Sequence, residues 1–138
     1  MSASEDKRRH LDFIQLTITR MAANSFLLKA WTVTLVAAVF ALSAGDTKQG
    51  YWLVAYVPVV SFWILDGYFL HQEKLYRKLY NTVRKKQPKS IDFSLDATPF
   101  KDKSNSWLVC MGTKTLMIFY GAIFSVLSIV AYLTIITR

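Results

Sequence analysis

The run LMIFYGAIFSVLSIVAYLTII, residues 116–136, holds 21 residues and no charged side chain. A helix needs roughly 20 apolar residues to cross a hydrocarbon core about 30 Å thick, so this run is written for lipid. Two more blocks lie upstream. FLLKAWTVTLVAAVFALSA, residues 26–44, has 19 residues and a single charge, Lys29; YWLVAYVPVVSFWILDGYFL, residues 51–70, has 20 residues and a single charge, Asp66. Inside a bilayer only a helix or a closed barrel satisfies its own backbone, and continuous apolar runs are not barrel strands. The expectation is an all-α integral membrane protein with three transmembrane helices at 26–44, 51–70 and 116–136. Trp31, Tyr51, Trp52, Trp63 and Tyr68 fall near block ends, where amphipathic rings favour the headgroup layer. Ala41-Leu42-Ser43 fits a small-x-small cleavage pattern. The 25 residues before the first block nevertheless carry helical periodicity instead of a short basic tip, so that block is read as an anchor.

The 138-residue chain carries a formal charge of +8, and the placement of its basic groups sets the orientation. Lys7, Arg8, Arg9 and Arg20 precede the first block. Lys74, Arg77, Lys78, Arg84, Lys85, Lys86, Lys89, Lys101, Lys103 and Lys114 lie between the second and third. Only Lys48 and Arg138 fall on the other side, which by the positive-inside rule predicts a cytoplasmic N-terminus and an exported C-terminus. A multi-pass membrane protein follows, organised as a cytoplasmic N-terminal helix (1–25), a transmembrane hairpin (26–70), a basic stalk and loop (71–115) and a last span (116–136).

The hairpin is expected to continue below the membrane. Leu11, Ile14, Ile18, Met21, Ser25 and Leu28 recur at alternating spacings of three and four, the period of a helical seam. Leu75, Leu79 and Val83 share a face, with Tyr76 and Tyr80 beside them. These patterns predict helices near 6–44 and 50–86, joined through Gly45, Asp46 and Gly50 and forming a cytoplasmic helical stalk. Pro88 closes the second. Ser90 to Asp96 then alternates polar and apolar residues, which fits either a short strand or an extended loop. Ser104, Asn105 or Ser106 supplies a cap for the start of the third helix.

Lys29 and Asp66 are equidistant from the centre of the 45–50 connection, so an antiparallel hairpin sets them at one depth. An isolated charge at mid-membrane costs about 2.5–3.5 kcal/mol on insertion scales, and pairing relieves much of it. The pair is read as an intramembrane salt bridge that fixes register, as a charged site on an ion path, or as groups snorkelling to the headgroups. Gly121, Ser125 and Ser128 mark a small-residue face for helix packing on the third span, within the chain or between copies. Three helices are too few to surround a conducting path, so a channel would require a homo-oligomer, a tetramer being one closed arrangement. Arg84, Lys85, Lys86 and Lys89 form the densest basic cluster, some 20 Å beyond the membrane if the helix runs straight. Screening weakens a lipid role at that distance, which favours an anionic ligand such as a nucleotide or oligonucleotide. Tyr76, Tyr80 and Phe93 either stack on such a ligand or pack the stalk.

No Gly-rich phosphate loop, nucleophile elbow or metal-ligand spacing is present, and His10, His71 and Cys110 are scattered; a non-enzyme without cofactor or metal is expected. The runs RMAANSFLLKAW (20–31), WILDGYFL (63–70) and IDFSL (91–95) resemble a group of small bacterial membrane proteins. These are similar to the transmembrane effectors of anti-phage defence loci of the Hailong type. The resemblance implies an oligomeric membrane channel controlled by the product of a nucleotidyltransferase encoded alongside, and antiviral defence by membrane depolarisation. The competing reading is a non-conducting membrane anchor for a soluble cytoplasmic partner.

Overall fold

The computed structural model describes residues 2–43 and 50–136, and the described chain is all-helical, without strands. Helix α1 spans Ala3–Ser43, α2 Tyr51–Val54, α3 Tyr56–Lys85, α4 Trp107–Met111 and α5 Lys114–Ile136. At 1.5 Å per residue α1 is about 60 Å long, about twice a hydrocarbon core. The bounds of α1, and of α2 and α3 taken together, fall within three residues of those expected, apart from one break. The second predicted helix is interrupted at Ala55, three residues before Pro58. Proline has no N–H for the carbonyl of Val54, and its ring crowds that carbonyl, so the helix is divided there. The expected turn through Gly45 and Asp46, with Lys48, lies outside the described residues, as do Ala44, Arg138 and the side chains of Tyr51 and Trp52.

Two stretches, Ala3–Leu42 and Lys103–Thr134, are long and apolar enough to cross a membrane, and only 11% and 22% of their most apolar windows are buried inside the chain. A core helix of a soluble protein would hide that surface against its own neighbours. Among the described residues the block at 51–70 does not meet the same test as one continuous helix, being divided at Ala55 and continued into the charged half of α3.

Helices α1 and α3 pack along their length, and α3 also contacts α4 and α5. The seam of α1 is buried at His10, Ile14, Ile18, Thr32 and Val36, close to the predicted stripe, with Leu11 only partly covered. Apolar packing divides into two cores. In the stalk, Ile14, Ile18, Leu75, Leu79, Val83 and Ala97 cluster, flanked by Tyr76, Tyr80, Ile91 and Phe100. Between the apolar blocks, Val36, Ala55, Val59, Leu116, Tyr120 and Leu127 form the second core, flanked by Trp63 and Phe124. Each fully buried aliphatic side chain contributes roughly 1.5–3 kcal/mol. On α5 the buried positions 116, 120, 127 and 131 follow spacings of four and seven, a helical seam laid against α3.

Residues 91–97 form an extended loop across the stalk. Their alternation has a local cause: Ser94 N donates to Asp92 Oδ1 at 3.2 Å, Asp96 N to Ser94 Oγ at 3.2 Å, and Thr98 N to Asp96 Oδ1 at 2.9 Å. Successive side-chain turns of this kind impose the same period of two as a strand. Phe93 sits at φ 52°, in the left-handed region that bulky residues rarely adopt, and its ring lies 5.5 Å from that of the buried His10. Past the loop, Asp102 caps a short turn at Lys103–Asn105 and Ser106 caps α4 by accepting from Val109 N. The third helix therefore begins where expected but as a separate five-residue elbow, ended at Gly112 before α5 starts.

Candidate functional site

Ser25 and Lys29 stand one helical turn apart on the buried side of α1, and Asp66 faces them from α3. Asp66 is completely buried. Lys29 Nζ donates to Asp66 Oδ2 at 2.5 Å and to Ser25 Oγ at 2.9 Å, while the Ser25 hydroxyl donates to Asp66 Oδ1. Tyr120, itself buried, donates its hydroxyl from α5 to Asp66 Oδ2 at 3.1 Å. One carboxylate thus gathers three donors from two other helices. A buried carboxylate without such partners would carry a penalty of several kcal/mol, so its place on α3 is set by these donors.

The approach of α4 helps to hold this region. A Cβ on Gly67 would overlap Met111 Cγ, so any larger residue beside Asp66 would force Met111 or α4 to shift. Trp63 Nε1 donates to the Met111 carbonyl at 3.1 Å, and Trp107 Nε1 donates to the Ile64 carbonyl at 3.0 Å. Trp63 is therefore a part-buried packing group against Tyr120 and Phe124. Trp31, 57% exposed, keeps the free surface expected of an interfacial ring.

The cluster Arg84, Lys85, Lys86 and Lys89 lies at the far end of the stalk, where α3 stops. Lys7 reaches over from α1 and donates to the carbonyls of Arg84 and Lys86, both at 2.8 Å. Cations at a helix C-terminus meet its unsatisfied carbonyls and negative dipole end, which is a structural reason for some of this charge. Lys86 also pairs with Asp92 at 3.5 Å. Hydrogen bonding to Ser94 first, and the charge of Lys86 after it, hold the Asp92 carboxyl below its usual range. Arg84, Lys85 and Lys89 are exposed. Tyr76 and Tyr80 pack against the stalk core, while Phe93 is 42% exposed.

The three small residues of α5 have different surroundings. A Cβ on Gly121 would meet nothing within 4 Å, and the exposed Ser125 returns its hydroxyl to the Gly121 carbonyl at 2.8 Å. Ser128 lies 3.2 Å from the Tyr56 hydroxyl. The chain does not use Gly121 for close packing within itself.

Sequence reasoning placed Lys29 against Asp66 but gave Ser25 only a packing position and left Tyr120 unremarked. Ser25 was within reach, being four residues before Lys29 on the same seam. Tyr120 had no comparable signal, because nothing local says which face of α5 meets α3. His10 was also passed over. It is fully buried, with Nε2 2.9 Å from the Ser94 carbonyl and Nδ1 without a partner. No family model, curated protein or solved structure matches this chain, so the reading of the site rests on its own chemistry.

Proposed function

We propose that this chain is a homo-oligomeric ion channel of the bacterial inner membrane, with three spans, a cytoplasmic N-terminus and an exported C-terminus. An anionic nucleotide or oligonucleotide at the basic end of the stalk controls it. Opening would depolarise the cell, which matches the anti-phage role implied by the resemblance. The observation that carries this reading is the buried Ser25–Lys29–Asp66–Tyr120 layer, which lies between the stalk core and the second apolar core. Ionisable groups buried between helices at membrane depth are rare and costly, and ion paths and their gates are among the places that keep them. Helices α1 and α3 run through this layer from the basic tip, so a displacement at the tip acts on Asp66 and, through Tyr120, on α5. The open face at Gly121 and Ser125 supports contact between copies, since small residues let helices approach closely in lipid.

A second reading, a non-conducting anchor for a cytoplasmic partner, is favoured by Phe13 and Leu16. Both are large, apolar and exposed on the stalk part of α1, at 51% and 69%. Planar-bilayer recordings of purified protein separate the two. The channel reading expects currents that respond to added oligonucleotide, and a variant with Arg84, Lys85, Lys86 and Lys89 all changed to Gln that conducts without responding. Silent bilayers containing correctly inserted protein would leave the anchor.

A further inference from the structure

The elbow before α5 and the adjoining face of α3 enclose an open cleft of about 430 Å³, lined by His71, Lys101, Asp102, Lys103, Ser106 and Trp107. We infer that this cleft binds the phosphate-bearing headgroup of an anionic membrane lipid, an inference that rests on the membrane-spanning reading.

The cleft stands where a headgroup would be. His71 is the first residue after the apolar block 51–70, and Trp107 lies in the segment that leads into the last apolar helix. Both sit at the boundary that the basic residues assign to the cytoplasmic leaflet, whose anionic lipids attract Lys and Arg. The polar lining is suited to a phosphate. Lys101 and Lys103 make no close ion pair within the described chain, and Lys101 acts on Asp96 only at longer range. The carboxylate of Asp102 is already engaged: Ser104 and Lys78, the latter at 3.0 Å, bond to it and hold its pKa well below the usual range. His71, only 7% exposed, has Nδ1 donating to the Asn105 carbonyl, so its ring forms a fixed wall of the cleft and the lysines supply the phosphate donors. Ser106 adds a hydroxyl. The volume is within the ordinary range for small-ligand clefts.

An apolar lip distinguishes a lipid from a free phosphate. Trp107 is tied to α3 through Ile64 yet remains 40% exposed, and Leu108 and Val109 beside it are 73% and 49% exposed. A soluble anion has no use for that surface, whereas the upper part of an acyl chain covers it. Indole rings with one polar and one apolar end favour this depth.

The test is native mass spectrometry of the full-length protein released from micelles holding equal amounts of phosphatidylglycerol and phosphatidylcholine. Wild type should retain phosphatidylglycerol preferentially. The variant Lys101→Gln with Lys103→Gln should lose retention by roughly tenfold or more, since each surface cation contributes about a factor of five. Lys101→Arg with Lys103→Arg should keep it, and Arg8→Gln with Arg9→Gln, which removes the same charge from the far end of α1, should not change it. Equal retention of both lipids, or undiminished retention in the Gln variant, would overturn the inference. Displacement by millimolar inorganic phosphate would also overturn it and assign the cleft to a free anion. Alkaline carbonate extraction of membranes from the cells that express the protein separates the two levels of failure. Release of the protein would overturn the spanning reading itself and the inference with it, whereas firm membrane residence without lipid retention would overturn the cleft alone.

Discussion

Replacing Lys29 by Ala would leave Asp66 fully buried with only the hydroxyls of Ser25 and Tyr120 to bond it. Breaking a buried pair from one side typically costs about 3–5 kcal/mol, because the remaining charge is stranded. The Lys29 side chain is 19% exposed, so little of that attraction is lost to solvent screening. Asp66→Ala removes the acceptor of three donors; Lys29 can then bend toward the interface, and we expect a smaller cost of about 2–3 kcal/mol. The double variant should cost less than Lys29→Ala alone, since neither charge is then unpaired. The coupling between the two sites is expected to exceed about 2 kcal/mol. Unfolding of detergent-solubilised protein by SDS, followed through tryptophan fluorescence, to which Trp63 beside Tyr120 contributes, gives all four corners of the cycle. Costs that add to within about 0.5 kcal/mol would refute the reasoning, because they would mean that Lys29 and Asp66 do not act on each other.

A reporter inserted after Lys101 should read cytoplasmic and one after Arg138 exported; matching signals at the two places would remove the three-span arrangement. Gly67→Ala should destabilise by about 1–3 kcal/mol, measured in the same SDS assay, because its methyl overlaps Met111, even though alanine favours a helix. Acid should loosen the 91–105 segment. Asp92, Asp96 and Asp102 have carboxyl pKa values lowered by their bonds to Ser94, Thr98 and Ser104 respectively. A group lowered on folding adds stability that is complete above its unfolded pKa, about 4, and disappears as pH falls through the folded value. Amide exchange in this segment should therefore rise on going from pH 5 to pH 3, relative to the helices and after correction for the intrinsic rate. Unchanged relative protection would show that these bonds do not hold the loop.

Much of the hairpin could be read from the chain, because its signals are periodic and symmetric. Ile14 and Ile18 face Leu75, Leu79 and Val83 through seams visible as spacings of three and four, and Lys29 meets Asp66 because both are equally far from the turn. What escaped depends on contacts between distant segments or on backbone chemistry with an ambiguous period. The alternation of Asp92, Ser94 and Asp96 suits a strand as well as a chain of side-chain turns, and only the bonds to the following amides decide between them. The break at Ala55 was foreshadowed by Pro58, a residue easily absorbed into an otherwise apolar run. Tyr120 joined the charged layer through the packing of α5 on α3, for which residues 116–136 give little direction because nearly every face of that helix is apolar.

The first turns of α1 do more than begin a helix. Lys7 closes the end of α3 by binding the carbonyls of Arg84 and Lys86, and His10, three residues later, lies under the loop between the Ser94 carbonyl and the Phe93 ring. The same ten residues thus fasten both sides of segment 86–97. Cutting the chain back to Leu11, a common trimming for expression, would uncap α3 and remove the ring that holds Phe93 and the Ser94 carbonyl. A bulky tag fused close to Ala3 would press on the same fastening. Expressed forms intended to keep the stalk intact should carry their tags elsewhere and retain residues 1–10.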